Sequence, residues 1–346
     1  MKTIDMPLLA DTARRLMADG KGLLAMDEST GTCNRRFGAA GIPQTEAFRR
    51  AYRELLVSTP GLGRTISGAI LFEETLHQRT RDDVLFTQVL EDAGIVPGIK
   101  VDLGAKLLAG HPGERVTEGL DGLRARLKAY FEKGARFAKW RAVFSIETGT
   151  PGPACIAANA HALARYAALC QEASLVPIVE PEVLMDGAHT LAECGEATHR
   201  VLHQVFEQLD QQGVVLEAML LKPNMVLPGT ECPVQDDIDA VADATLACLL
   251  RAVPAAVAGI AFLSGGQPAE LATVRLNAMH RPRDTAPMSN PWPLTFSFGR
   301  ALQQPALAAW AGNDANRVAA QQALLHRAAC NGAAVLGRYG AVMETP

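Results

Sequence analysis

The feature that most constrains this 346-residue chain is a rhythm of short apolar, often β-branched runs. They fall at Gly22–Met26, Ile66–Phe72, Val96–Val101, Ala135–Arg141, Leu175–Val179, Val215–Leu221, Val257–Leu263 and Leu294–Phe298. Their starts lie roughly 30 to 45 residues apart, which leaves room for a crossover helix between successive parallel strands. The intervening segments carry helical spacing. Phe48, Tyr52, Leu55 and Leu56 fall at i, i+4, i+7 and i+8, and Leu120, Leu123, Leu127 and Phe131 form a similar stripe, each suited to packing on a sheet. Strands alternating with helices in this number predict an α/β fold, a (β/α)8 TIM barrel forming a single domain over 1–346. Within it, residues 1–20 are expected to supply an N-terminal helix and 332–346 a C-terminal tail. An open doubly wound sheet is the structural alternative, but no G-x-G-x-x-G follows the first run, so a dinucleotide fold has little support.

Composition narrows the class of function. The formal net charge of −4 offers no basic field for nucleic acid or an anionic membrane. No apolar run approaches the roughly 20 residues that span a bilayer, and the first residues lack the apolar core of a signal peptide. The seven cysteines are odd in number and include no C-x-x-C pair, which argues against a disulfide framework or zinc cluster and for a reducing, cytoplasmic compartment.

In a barrel, reactive groups sit at the C-terminal ends of strands. Those ends read Asp27, then Lys100, Lys139 with Arg141, Glu180 with Glu182, Lys222, Ser264, and Ser297 to Arg300. Side chains two apart on a strand face the same side, so Lys139 and Arg141 can converge, as can Glu180 and Glu182. Pro181 and Pro223 cannot donate to a ladder and are read as the stops of two strands. Each charge taken singly could be the first solvated residue past a strand; a barrel mouth forces the whole set together. Cations beside carboxylates suit an anionic substrate and proton transfer. A lysine among other cations, as Lys222 would be beside Lys139, has its ammonium disfavoured and becomes a nucleophile. Neighbouring glutamates can then shuttle protons through formation and dehydration of a carbinolamine.

The last two strand ends carry a phosphate signature. Ser264-Gly265-Gly266 precedes Pro268 at an expected helix start, and Ser297-Phe298-Gly299-Arg300 leads into another helix. Glycines let backbone amides approach an anion, helix N-termini favour negative charge, and barrels commonly bind phosphate after strands 7 and 8. One metal-like pattern, His199 and His203 at i, i+4, lacks the glutamate that follows the first histidine in such motifs and lies mid-helix; it is read as a helix surface.

Seven stretches together resemble class I fructose-bisphosphate aldolases: LLAMDESTG ending at Gly31, GIKVD at 98–102, FAKWR at 137–141, PIVEPE at 177–182, LKPNMV at 221–226, FLSGGQ at 262–267 and TFSFGRAL at 295–302. They occur in the family's order and cover nearly the whole chain. The resemblance implies reversible cleavage of fructose 1,6-bisphosphate to dihydroxyacetone phosphate and glyceraldehyde 3-phosphate, in glycolysis and gluconeogenesis. It implies Lys222 as the imine-forming lysine, Glu180 as the main proton shuttle and Glu182 as the carboxylate partnering that lysine. Asp27 would handle the C4 hydroxyl, with Lys139 as the neighbouring cation and Arg141 on the same face. Ser264, Gly265, Gly266, Ser297, Gly299 and Arg300 would hold the C1 phosphate; Arg36, Thr32 and Lys100 would contact the sugar chain or far phosphate. It further implies no metal and no cofactor, since the protonated imine is the electron sink, and a homotetramer acting on a small sugar bisphosphate.

The chain departs from the family's animal members in three places. It ends at Glu344-Thr345-Pro346 without a terminal tyrosine, its last being Tyr339. Thr32 replaces a serine, and Leu103 stands where many have a lysine. Two other readings stay open. A Schiff-base aldolase or transaldolase for another phosphorylated ketose would be separated by comparing bisphosphate with monophosphates. A non-catalytic scaffold would be favoured by loss of the matched charged positions, and none is lost.

Overall fold

A computed structural model of the chain describes residues 4–147, 149–281 and 290–344. Eight parallel strands close into a barrel: β1 Gly22–Met26, β2 Ile66–Leu71, β3 Val96–Lys100, β4 Phe137–Phe144, β5 Val176–Val183, β6 Leu220–Leu221, β7 Gly259–Phe262 and β8 Leu294–Phe298. Each strand pairs with its neighbours in sequence order, and β8 returns to β1 through Leu23↔Ser297. This is the expected single-domain (β/α)8 barrel. The helical stripes lie in helices Glu46–Val57 and Leu123–Glu132, burying Tyr52, Leu55, Leu56, Leu123 and Leu127 against the barrel. No helix among the described residues is long and apolar enough to cross a membrane, and all seven cysteines are buried thiols.

The barrel lumen is filled in layers. Helix α1, Met6–Leu16, is N-capped by Asp5 and turns Leu9, Ala13 and Leu16 onto the first interior layer. That layer includes Leu23, Ile70, Val96, Phe137, Val176, Leu220 and Ala261. Phe137 lies so close to β3 that a Cβ on Gly98 would come within 2.2 Å of its ring, so only glycine fits there. Stepping by two along each strand leads from this apolar floor to the mouth: Leu23, Ala25, Asp27; Phe137, Lys139, Arg141; Ile178, Glu180, Glu182; Leu220, Lys222. The layer below excludes water from the charged layer above.

Four details differ from the sequence reading. Strands β4 and β5 run on to Phe144 and Val183, past Arg141 and through Pro181, instead of stopping there. Along β5 the N–H groups of Val176 and Leu184 point to β4, whereas that of Val183 points the other way, to Asn224. Pro181 shares the Val183 side, where β6 has already ended at Leu221, so no ladder bond is lost. Strand β6 is shorter than its apolar run because Leu216–Ala218 turns as a 3-10 helix. An antiparallel ribbon, Ala105–Leu107 with Arg115–Thr117, inserts after β3 without having been anticipated. At the ends, α1 stops at Leu16, and the last helix, Arg317–Val335, continues past position 332 until Gly337 takes a φ of 66°. Residues 1–3, 345 and 346 of the expected terminal segments lie outside the described residues.

Candidate active site

The mouth opens into a cavity of about 810 Å³. It is lined by all of the residues selected from the sequence: Asp27, Thr32, Arg36, Lys100, Lys139, Arg141, Glu180, Glu182, Lys222, Ser264, Gly265, Gly266, Ser297, Gly299 and Arg300. At its floor, Lys222 Nζ lies 3.0 Å from Glu180 Oε1, and Lys139 Nζ lies 3.1 Å from Glu180 Oε2 and 2.7 Å from Asp27 Oδ2. Two lysines and two carboxylates thus form one chain of contacts. Lys139, Glu180 and Lys222 are each at most 4% exposed.

Burial and charge oppose each other in this chain. For Lys139, burial works against the ammonium, but Asp27 and Glu180 outweigh it and hold the pKa above the ordinary lysine value. For Asp27, burial favours the neutral acid, yet Lys139 and Lys222 bring its pKa down to about 2. Glu180 is likewise lowered: burial opposes ionisation, and Lys139, Lys222 and Arg141 more than offset it. The floor therefore favours the charged form of Lys139 between two ionised carboxylates, with a second lysine 3.0 Å from one of them.

The carboxylate touching Lys222 is Glu180 and not Glu182, correcting the pairing drawn from the sequence. The sheet register explains this. Lys222 N–H donates to Val179 O, which sets Lys222 beside Glu180, whereas Glu182 lies one layer higher and is ion-paired with Arg141. Arg141 keeps its side chain 43% exposed to the cavity.

The phosphate-type elements surround the opposite wall. After β7 the turn closes through Gln267 N–H donating to Ser264 O at 3.0 Å, with Gly265 at φ 58° and Gly266 at φ 97°. These left-handed conformations favour glycine and leave the backbone open to an anion. Helix Ala269–His280 starts behind the turn, and helix Arg300–Trp310 starts directly after Gly299. Arg300 is exposed, ion-pairs with no carboxylate among the described residues, and its guanidinium reaches toward Gly266. The Ser297 hydroxyl is buried and unpartnered at the cavity wall.

On the far side, helix Thr30–Ala39 is capped by Ser29, which accepts from Thr32 N, and its first turns carry Thr32 and Arg36 to the rim. Arg36 is held by Glu28 at 2.6 Å, and Lys100 by Asp102 at 2.6 Å. Glu28 and Asp102 are site residues to which the sequence reading gave no role. Both sat inside quoted motifs, next to Asp27 and two residues after Lys100. Asp102 also accepts from Gly104 N and Arg141 N, joining the ends of β3 and β4. Glu73, Arg126 and Tyr130 extend the lining; as helix residues they carried no strand-end signal.

His199 and His203 stack on one helix, Leu191–Gln211, away from the cavity lining. Another grouping of possible ligand atoms, His326, Cys330 and Glu344, lies at the C-terminal turn. Its carboxylate is already engaged by Arg327 and by the Tyr339 hydroxyl. Tyr339 itself is buried, donates to Glu344 at 2.6 Å and does not line the cavity.

Comparison with known proteins adds an independent line. A family model described as fructose-bisphosphate aldolase class-I matches residues 8–345. A probable fructose-bisphosphate aldolase class 1 from Xanthomonas campestris is 55% identical over 96% of this chain and 98% of its own length. Fructose-bisphosphate aldolase 1 of Toxoplasma gondii is 52% identical over 96% of this chain and 91% of its own. Among solved structures, a fructose-bisphosphate aldolase from Plasmodium falciparum, in complex with TRAP and a small-molecule inhibitor, superposes with a TM-score of 0.94 at 46% identity, covering 98% of both chains. With barrel, charged floor and sequence in agreement along its length, the chain belongs to the class I fructose-bisphosphate aldolase family.

Proposed function

We propose that this protein cleaves fructose 1,6-bisphosphate reversibly into dihydroxyacetone phosphate and glyceraldehyde 3-phosphate through an imine on Lys222. The observation that carries this reading is the contact of Lys222 with Glu180 at 3.0 Å beside a second lysine whose ammonium form Asp27 and Glu180 favour. Glu180 takes the proton from the Lys222 ammonium, and the free amine adds to the C2 ketone. Protonation of the carbinolamine hydroxyl releases water and leaves a cationic imine. Asp27 accepts the C4 hydroxyl proton; the C3–C4 bond breaks, its electron pair passes into the imine as an enamine, and the aldehyde departs. Protonation at C3 and hydrolysis then return the amine. Lys139 stabilises the developing oxyanions as a fixed charge. The C1 phosphate is assigned to Ser264, Gly265, Gly266, Ser297, Gly299 and Arg300. The far end of the sugar is assigned to Arg36, Thr32 and Lys100, with Arg141 between. Reduction with borohydride in the presence of dihydroxyacetone phosphate, followed by peptide mapping, should place the adduct on Lys222; an adduct elsewhere rejects the reading. The family also supports a cytoplasmic homotetramer, which light scattering of the purified protein would test for assembly.

Arg300 gives a second expected result. A hydrogen bond between charged groups contributes about 1.5–3 kcal/mol, or roughly 10- to 150-fold in binding. Arg300→Ala should weaken substrates bearing a C1 phosphate by that factor while leaving unphosphorylated analogues nearly unaffected. Equal losses for both would make Arg300 a structural residue.

Proton exchange at C3 of the enamine needs an acid–base group at the cavity, and Tyr339 is not among its lining residues. Tyr339 is tied down by Glu344, so Glu180 or a water carries that step in this reading. Tyr339→Phe should leave C3 exchange within about threefold of the parent, against the roughly 10²- to 10⁴-fold loss that follows removal of a general acid or base. A loss on that larger scale, with cleavage of bound substrate retained, would make Tyr339 catalytic.

A further inference from the structure

Four arginines are buried among the described residues: Arg49, Arg53, Arg275 and Arg327. Three are ion-paired, Arg49 and Arg53 with Glu74 and Arg327 with Glu344. Arg275 forms no ion pair with a described carboxylate. Its Nη1 donates to Gln267 Oε1 at 2.8 Å, its Nε has no partner, and the side chain is 6% exposed. Burial lowers its pKa from the ordinary arginine value. A buried cation with no counter-charge among the described residues is unfavourable for the ligand-free fold.

Its position gives that charge a use. Gln267 closes the turn Ser264–Gly266 through its backbone, and its side-chain amide reaches Met225 Sδ at 3.7 Å, three residues beyond Lys222. Arg275 stands on the helix whose start backs this turn. A guanidinium there fixes Gln267, ties the turn to the Lys222 segment, and adds positive potential in a low-dielectric wall behind the glycines. We infer that Arg275 is a positioning and electrostatic residue for phosphate on the Ser264–Gly266 turn, with the substrate anion supplying a counter-charge that none of the described residues gives it. This rests on the phosphate assignment made above and extends it to a residue outside the cavity lining.

The test compares the parent with Arg275→Met, Arg275→Gln and Arg275→Lys in the full-length protein, reading inorganic phosphate binding, KM and kcat for fructose 1,6-bisphosphate, and thermal stability without ligand. Losing a partly screened charge interaction should raise the phosphate Kd and the KM about tenfold in the methionine and glutamine variants, with kcat kept within about threefold. Lysine should recover most of the affinity. The ligand-free Tm of the uncharged variants should be unchanged or higher, since an unpaired buried charge has gone. The glutamine variant keeps a hydrogen-bonding head and carries the comparison if methionine impairs folding. Phosphate binding within twofold of the parent in the uncharged variants overturns the inference. So does lysine failing as badly as methionine with Tm lowered in both, which would mark a packing role. Arg300→Ala serves as the reference: if it loses phosphate while the Arg275 variants do not, the phosphate site stands and this inference alone fails. If Arg300→Ala also keeps phosphate, the site itself is misassigned and the inference falls with it.

Discussion

Lys222→Met is expected to lower turnover of fructose 1,6-bisphosphate by about 10⁴-fold or more, the scale of losing a covalent group. Methionine keeps the length and apolar stem of the lysine, and Leu220 and Leu221 retain β6 in register, so the barrel should fold with its Tm little changed. The more telling part of the result is that Lys139 should not take over. It lies in the same buried cluster and is another amine, but it is clamped by Asp27 at 2.7 Å and Glu180 at 3.1 Å. Those carboxylates outweigh burial and keep it protonated, and an ammonium has no lone pair with which to attack a ketone. Borohydride trapping of the variant should therefore yield no adduct at all. An adduct on Lys139, or turnover within a hundredfold of the parent, would mean that the nucleophile has been assigned to the wrong lysine.

Much of this arrangement was legible before any coordinates because strand ends in a barrel are marked twice, by the end of an apolar run and by a charge. Asp27 and Lys222 carry both marks, whereas Lys139 and Glu180 lie inside β4 and β5, which run on to Phe144 and Val183; all four meet at the cavity floor. What the sequence concealed depends on register and length, to which single-residue patterns are blind. Glu180 and Glu182 are equivalent in pattern; only the Lys222–Val179 hydrogen bond decides which of them faces the lysine. Pro181 is a strand stop in general, but not where the neighbouring strand has already ended. The resemblance makes Arg36 and Lys100 contacts to the sugar chain or far phosphate, and its motifs do not show that each is held by a nearby carboxylate, Glu28 or Asp102. A far phosphate approaching them competes with those acids, unlike one approaching Arg300. The ribbon after β3 was hidden because its strands are three residues each, with Thr117 alone buried, too short for an alternating pattern to register.

The correction at Glu180 sets up the second large effect. Glu180→Gln should reduce turnover roughly 10²- to 10⁴-fold, as expected for removal of a general acid–base group, while leaving the apparent affinity for the bisphosphate close to the parent value. Glutamine matches the carboxylate in shape and its carbonyl can still accept from one of the two lysines, but it cannot accept the proton of the Lys222 ammonium or return one to the carbinolamine. Asp27 remains as the partner of Lys139, so the fixed charge survives. The pH dependence carries the same argument. Because Lys139, Lys222 and Arg141 overcome burial and hold Glu180 below the usual carboxylate range, its base form persists as pH falls through the ordinary glutamate pKa. Its contribution to stability is present above that ordinary pKa and is lost only as pH drops through the lowered one. Glu182→Gln provides the contrast. Glu182 sits a layer higher, bound to Arg141, and its loss should fall mainly on substrate positioning, with a smaller drop in kcat and a rise in KM. If Glu182→Gln instead gave the larger fall in kcat, the pairing seen here would be a resting arrangement, and Glu182 would become the lysine's partner once substrate had displaced it from Arg141.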